Sequence, residues 1–287
     1  MNRLRFPRAL IVPALIACLL FGCANAPEET QPPTTLAPTT LATTAATTAP
    51  PTTVPTEPPT EPTIPLSRAE KSITVFAETM DLTLEDYPES LIKLLERNPE
   101  TLDFVLHYPL EYGTTPEVNM DEYKDQEGVP LFMQWDRRWG YIDYGNNVAG
   151  LSACGPVCLS MAAYHFTRDP AMSPDKIIQF AIDYGYCVPG NGTAWALFSE
   201  GAWHLGLTST SACLGRQGAI DNLEAGNLIV CLMGEGDFTT EGHYILMVGT
   251  EDGLIRVNDP NSYANSEKLW DYDAISDQII TQWVIGY

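Results

Sequence analysis

The chain has 287 residues, and its 15 Lys and Arg face 37 Asp and Glu, for a formal charge of −22. Such an acidic surface repels nucleic acid and anionic lipid headgroups. The sequence has no basic stripe, no zinc-finger spacing and no phosphate-binding glycine loop, so nucleic-acid and nucleotide work is set aside.

Residues 1–22 read as a secretion signal. Arg3, Arg5 and Arg8 form its basic region, and Ala9 to Phe21 is a short apolar run broken by Pro13. The run is well below the ~20 residues that span a bilayer, which speaks against a transmembrane helix. It closes on Leu20-Phe21-Gly22-Cys23, which resembles a bacterial lipoprotein signal. That resemblance implies cleavage before Cys23, lipidation of its thiol and attachment to the outer face of the cell membrane through that lipid. Ordinary cleavage near Ala24 or Ala26 is the alternative. Loss of the three arginines takes the formal charge to −25.

Residues 23–65 read as a lipidated cysteine followed by a disordered stalk. Thr30 to Pro65 holds 14 Thr and 10 Pro in 36 residues and has too few large apolar side chains to form a core. In polyproline geometry it would reach on the order of 100 Å.

Residues 66–114 read as a small helical module. Ser67-Arg68-Ala69-Glu70 has capping-box spacing. Pro88-Glu89 and Pro99-Glu100 each put a proline and then an acid at a helix start. So few residues rarely fold alone, so the module is expected to dock on the next domain or to act as a spacer. His107 within it is expected to be structural.

Residues 115–287 suffice for one full core. Helices are expected near Gly155–Thr167, Ser173–Tyr184, Thr193–Leu205 and Ala219–Ala225. Strands are expected at Leu228–Met233, Tyr244–Thr250, Leu254–Asn258 and Ile279–Ile285. Helices first and strands later indicate an α+β domain.

Within it, Ser152-Ala153-Cys154-Gly155-Pro156-Val157-Cys158 puts a thiol at a helix start. Proline favours the first helical position. The free N–H groups and positive dipole of that turn favour thiolate over thiol, as a nucleophile needs. The same residues also suit a small apolar cysteine packed at a helix end. With Cys18 and Cys23 set aside, five cysteines remain, and an odd thiol in an exported domain indicates one reactive member. The disulfide state of Cys158, Cys187, Cys213 and Cys231 stays open.

A catalytic thiolate needs a base and an orienting partner. Of the four histidines, His165 lies ~16 Å along the helix from Cys154, too far to touch, and His204 sits late in a helix. His243 begins an apolar strand after a Gly-rich loop. A three-residue loop at Glu251-Asp252-Gly253 would pair Thr250 with Leu254 and set Ile245 opposite Asp259. Residues 243 and 245 share a face, so Asp259 would lie diagonal to His243, within reach. Asn258-Asp259-Pro260-Asn261 also reads as a plain turn.

Cys, His and Asp in this order resemble papain-like cysteine peptidases. The stretch Val129-Pro130-Leu131-Phe132-Met133-Gln134-Trp135, then Ala153-Cys154-Gly155-Pro156, then Gly242-His243-Tyr244-Ile245-Leu246, then Val257-Asn258-Asp259-Pro260 resembles the bacterial C-thirty-nine-like peptidase family. The resemblance implies a papain-like fold, with a helical half carrying the nucleophile and an antiparallel half carrying His and Asp. It implies Cys154 as nucleophile, His243 as base and acid, Asp259 as orienter and Gln134 as an oxyanion donor. Val157 stands where the family often has Thr.

Trp135, Trp139 and Trp195 would line a substrate groove or belong to the core. Cys154 and Cys158 without a second close pair make a weak metal site, so no metal and no cofactor is expected. The reading is an extracellular, lipid-anchored thiol hydrolase acting on peptides or proteins, with wall peptide among the candidates. Acyl transfer to an amine, or a non-catalytic wall or surface binding module, are the alternatives. Oligomeric state is not legible.

Overall fold

The computed structural model describes residues 65–114 and 116–287. The expected signal, Cys23 and the Thr/Pro-rich stretch up to residue 64 lie outside the described residues. Among the described residues no helix is long and apolar enough to cross a membrane.

Ser67 opens helix α1 (Arg68–Thr79) with the expected capping box. Its hydroxyl accepts from Glu70 N at 3.2 Å, while the Glu70 carboxylate accepts from Ser67 N at 2.7 Å. Helix α2 (Glu89–Arg97) follows Pro88 and buries Leu91, Leu94 and Leu95. A 3₁₀ turn at Pro99–Thr101 leads into α3 (Leu102–Glu111). These helices do not close a core among themselves. Their buried face is completed by Tyr141 and Val148 of the following segment, so the module docks. The Phe104 ring stacks on Tyr141 with centroids 4.7 Å apart, and Tyr141 donates its hydroxyl proton to Phe104 O at 2.8 Å.

Helix α4 (Cys154–Thr167) is buried continuously from Gly155 to Tyr164 and is the central helix of the chain. It begins at Cys154, so Pro156 is its third residue and not its first. The missing N–H still costs nothing, because the first turn has no intrahelical acceptors to serve. Helix α5 (Pro174–Asp183) packs beside it.

A six-stranded antiparallel sheet follows. Its strands are β1 (Thr208–Ala212), β2 (Leu228–Met233), β3 (His243–Glu251), β4 (Leu254–Asn258), β5 (Leu269–Trp270) and β6 (Ile279–Gly286), in the order β1-β6-β2-β3-β4-β5. One face packs on α4, and the other packs under helix α6 (Arg216–Glu224). Covered on both faces, β2 is apolar without alternation. The α+β expectation is met.

Two expectations need correction. The helix foreseen over Thr193–Leu205 starts only at Leu197, with a π-helical turn to Gly201 that continues to His204. Thr193 instead pairs with Cys187 in a small hairpin, and its hydroxyl shares a 2.8 Å hydrogen bond with the Tyr144 hydroxyl. The Pro189-Gly190-Asn191 turn, a loop signal, set this hairpin in place of the first turn of the expected helix.

The β3–β4 hairpin closes through two residues, Asp252 and Gly253, at φ +51° and +76°. Positive φ at both positions is the type I′ pattern that Asp-Gly favours. A bulge at Val248 then adds one residue to β3, so Leu246 faces Asn258. The shorter loop and the bulge shift register in opposite senses and cancel. Asp259 therefore ends up one step beyond the Leu246–Asn258 pair, diagonal to His243 as expected.

Candidate active site

Cys154 is half-buried at the N-terminus of α4, and its N-cap Ala153 has no side-chain oxygen to satisfy the free N–H groups. His243 is the first residue of β3 and Asp259 is the residue after β4. His243 Nε2 and Asp259 Oδ1 lie 2.7 Å apart, with the two residues 6% and 1% exposed. With Nε2 engaged, Nδ1 is the ring nitrogen left free, and His243 and Cys154 are close enough for each to shift the other's protonation. Three side chains far apart in sequence thus form one connected series.

Buried carboxylates need their lone pairs satisfied. Asp259 Oδ1 also accepts from Asn261 N at 2.8 Å, and Oδ2 accepts from Asn265 Nδ2 at 2.8 Å. Asp259 N donates to Ser266 Oγ at 2.9 Å. The sequence reading missed Asn265 and Ser266. The available signal was Ser262, which caps the short helix Tyr263–Ser266 by accepting from Asn265 N at 3.2 Å.

The electrostatics follow from this packing. Burial pushes Asp259 up, but the charge and hydrogen bond of His243, with the Asn donors, hold its carboxyl below the ordinary value. Burial pushes His243 down, but Asp259 and Cys154 outweigh it and raise the imidazole to about 10. Burial also raises Cys154. The His243 hydrogen bond and charge, with the N–H groups of Tyr244 and Gly155, more than offset that and bring the thiol below its ordinary value. Cys158, one turn on and buried, is pushed well up, and burial takes Cys231 to about 12. Cys154 is held below its ordinary value beside an imidazole held above its own, whereas Cys158, Cys187 and Cys231 are pushed up. All five are unpaired.

Gln134 is buried, 3% exposed. Its N–H donates to Pro260 O at 2.7 Å and its Nε2 to Gly150 O at 2.9 Å. It is therefore pinned both to the residue after Asp259 and to the segment leading into Cys154. Its Nε2 carries two protons, so one remains beyond the Gly150 bond.

Residues 126–285 match the Peptidase_C39 like family. The chain belongs to that family. No curated protein matches it. Among solved structures, the peptidase domain of Streptococcus ComA is similar. ComA is described as a bi-functional ABC transporter involved in a quorum-sensing pathway. It is 17% identical, covers 54% of this chain and 96% of its own, and gives a TM-score of 0.38. A putative C39-like peptidase from Bacillus anthracis is 11% identical, covers 57% and 98%, and gives a TM-score of 0.34.

The C39-like, papain-like fold accounts for the halves described above: α4 presents Cys154, and the antiparallel sheet presents His243 and Asp259. Gln134, Cys154, His243 and Asp259 all fall inside the matched stretch, while α1 to α3 precede it. Cys154 opens on a cleft of about 970 Å³. Its walls include the Gly145–Asn147 turn, the Gly190–Trp195 segment and, from α2, Lys93 and Arg97. Trp195 stands in this cleft, 54% exposed, with its ring edge-on to Trp283.

Trp135 is not among the cleft residues. Its Nε1–H donates to Asn261 O at 3.0 Å and its ring meets Tyr263 edge-on. Trp139 is core, at 1% exposure. His107 Nδ1 lies 2.9 Å from Asp103 O and His165 Nδ1 lies 3.0 Å from Gly128 O, both away from Cys154. Among the described residues no three His, Cys, Asp or Glu side chains cluster so as to hold a metal ion.

Proposed function

We propose that this C39-like chain is a cysteine peptidase that hydrolyses peptide amide bonds through Cys154, His243 and Asp259. The observation that carries the reading is the connected Cys154–His243–Asp259 series with a lowered thiol and a raised imidazole.

The thiolate attacks the scissile carbonyl carbon. A C–S bond forms and the π electrons move onto oxygen. The free Gln134 Nε2 proton and the Cys154 N–H receive that oxyanion, and losing one such donor typically costs roughly 10²–10³ in kcat. The imidazolium gives its proton to the leaving nitrogen as the C–N bond breaks, leaving a thioester. His243 then takes a proton from water. The hydroxide attacks the thioester, and the acid departs as the thiolate is restored. Asp259 keeps the ring oriented throughout and stabilises it whenever it carries the proton.

We also propose that the peptidase works outside the cell on a lipid anchor. The support is in the sequence: Arg3, Arg5 and Arg8, the apolar run to Phe21, Cys23 and the Thr/Pro-rich stretch. Peptide or protein is the substrate class, with wall peptide as one candidate.

Incubating wild type and Cys154→Ala with a diverse peptide library and with purified wall, read by mass spectrometry, tests this. Products one water heavier in sum than their parent, present only with wild type, are expected. Amine adducts would redirect the reading to acyl transfer, and no turnover with tight retention would favour a binding module. Cys23→Ser should release the protein from the membrane fraction.

A further inference from the structure

The hydrogen-bond shell of Asp259, apart from His243, comes from one short loop. Asn261 and Asn265 donate to its carboxylate, and Ser266 receives its N–H. That loop is tethered from outside. Gln134 N donates to Pro260 O, and Trp135 Nε1 donates to Asn261 O.

Further tethers come from the helical module, ahead of the family match. Asn98 Nδ2 donates to the same Asn261 O at 2.6 Å. Tyr263 N and Ala264 N donate to the two oxygens of Glu100 at 2.8 and 3.0 Å. Glu100 thus fixes the first turn of the short helix that carries Asn265 and Ser266. The α2–α3 turn presenting both side chains is itself braced. Asn98 Oδ1 accepts from Glu100 N at 3.1 Å, and Thr101 Oγ1 donates to Asn98 O at 2.7 Å.

We propose that Asn98 and Glu100 are positioning residues for the cysteine centre, locking the 260–266 loop onto Asp259 so that the site is complete only with the helical module docked. This rests on the peptidase reading above. The causal chain is short. A carboxylate at 1% exposure stays ionised only while its donors are in place. If the loop is untethered, Asn261 and Asn265 leave Asp259. His243 then holds its proton less firmly, and Cys154 reverts to thiol at acid pH. Neither Asn98 nor Glu100 touches the reacting atoms, so they act through order in the loop.

Iodoacetamide alkylation of the full-length chain, resolved by peptide mapping from pH 5 to 9, tests the proposal without a known substrate. Wild type should alkylate selectively at Cys154 at pH 6. The double variant Asn98→Ala/Glu100→Ala should alkylate about tenfold more slowly at pH 6 and equally at pH 9, which corresponds to a thiol pKa about one unit higher. Glu100→Gln keeps one acceptor oxygen and should recover part of the rate. Ile73→Val, which loosens the buried face of α1 without touching the loop, should keep the wild-type profile.

A wild-type profile in the folded double variant overturns the proposal, as does an equal shift in Ile73→Val. If the double variant unfolds and exposes Cys158 and Cys231, the same comparison on Glu100→Ala alone decides. If wild type shows no selective Cys154, the peptidase reading itself fails and the positioning role falls with it.

Discussion

Phe104 lies with the edge of its ring against Gly150, so close that a Cβ there would stand 2.4 Å from it. Gly150 is also the residue whose carbonyl receives Gln134 Nε2. The helical module and the segment leading to Cys154 are therefore fitted to each other at backbone range. Gly150→Ala should destabilise the chain by about 1–3 kcal/mol through overpacking. Phe104→Ala should cost about 3–5 kcal/mol through the cavity it leaves. Because the two groups share one space, the double variant should cost less than the sum of the singles. Urea unfolding midpoints of the four proteins check this.

The imidazole of His243 holds its proton to about pH 10 in the folded chain, against 6.5 when free. Its contribution to stability is therefore complete below pH 6.5 and is lost as pH rises through 10. The stability gap between wild type and His243→Gln should be widest near pH 6 and should shrink steadily toward pH 10. A gap that grew with pH would contradict the assigned protonation.

Asp259→Asn removes the charge that holds the imidazolium. The alkaline limb of activity should then move down from near 10 toward 6.5. The carboxamide still accepts one hydrogen bond, so the ring keeps part of its orientation. The pH profile of turnover on any substrate found in the peptide library measures this shift.

Trp195 holds an exposed ring at the cleft. Trp195→Ala should raise KM about tenfold, the equivalent of one apolar side chain losing its partner. Its exposure leaves little stability to lose, so the thermal midpoint should barely move. A fall in kcat with KM unchanged would remove the ring from substrate binding.

Cys158 hydrogen-bonds Tyr244 O at 3.4 Å from inside the core and is pushed away from thiolate. Cys158→Ala should keep alkylation at Cys154 intact and cost about 1–2 kcal/mol of stability, from a small void and one unsatisfied carbonyl. Loss of Cys154 reactivity in this variant would mean that the two thiols act as a pair.

Much of this was legible in the chain alone, wherever local chemistry decides. The bounds of β2 and β4 were read to the residue, β2 because a strand covered on both faces is apolar along its length and β4 because turn residues flank it. The placement of Cys154 followed from the chemistry of a helix start. The diagonal of His243 and Asp259 followed from alternation, although it survived only because the two-residue Asp252-Gly253 turn and the Val248 bulge cancel. Strand β1, built of Thr and Ser, carried no apolar signal, since its pairing with β6 is made by backbone.

What the sequence determined by itself was the set of reactive groups and their local settings: a thiol at a helix N-terminus, an imidazole at a strand start and an acid one step past its neighbour. What only the tertiary structure decided was the environment that makes them work: the burial of Asp259, the donors from Asn261 and Asn265, and the hold of Asn98 and Glu100 on their loop. The division has a physical cause. Local propensity acts over a few residues and repeats along the chain, whereas a hydrogen bond between residue 100 and residue 263 leaves no periodic trace and exists only once two separate surfaces meet.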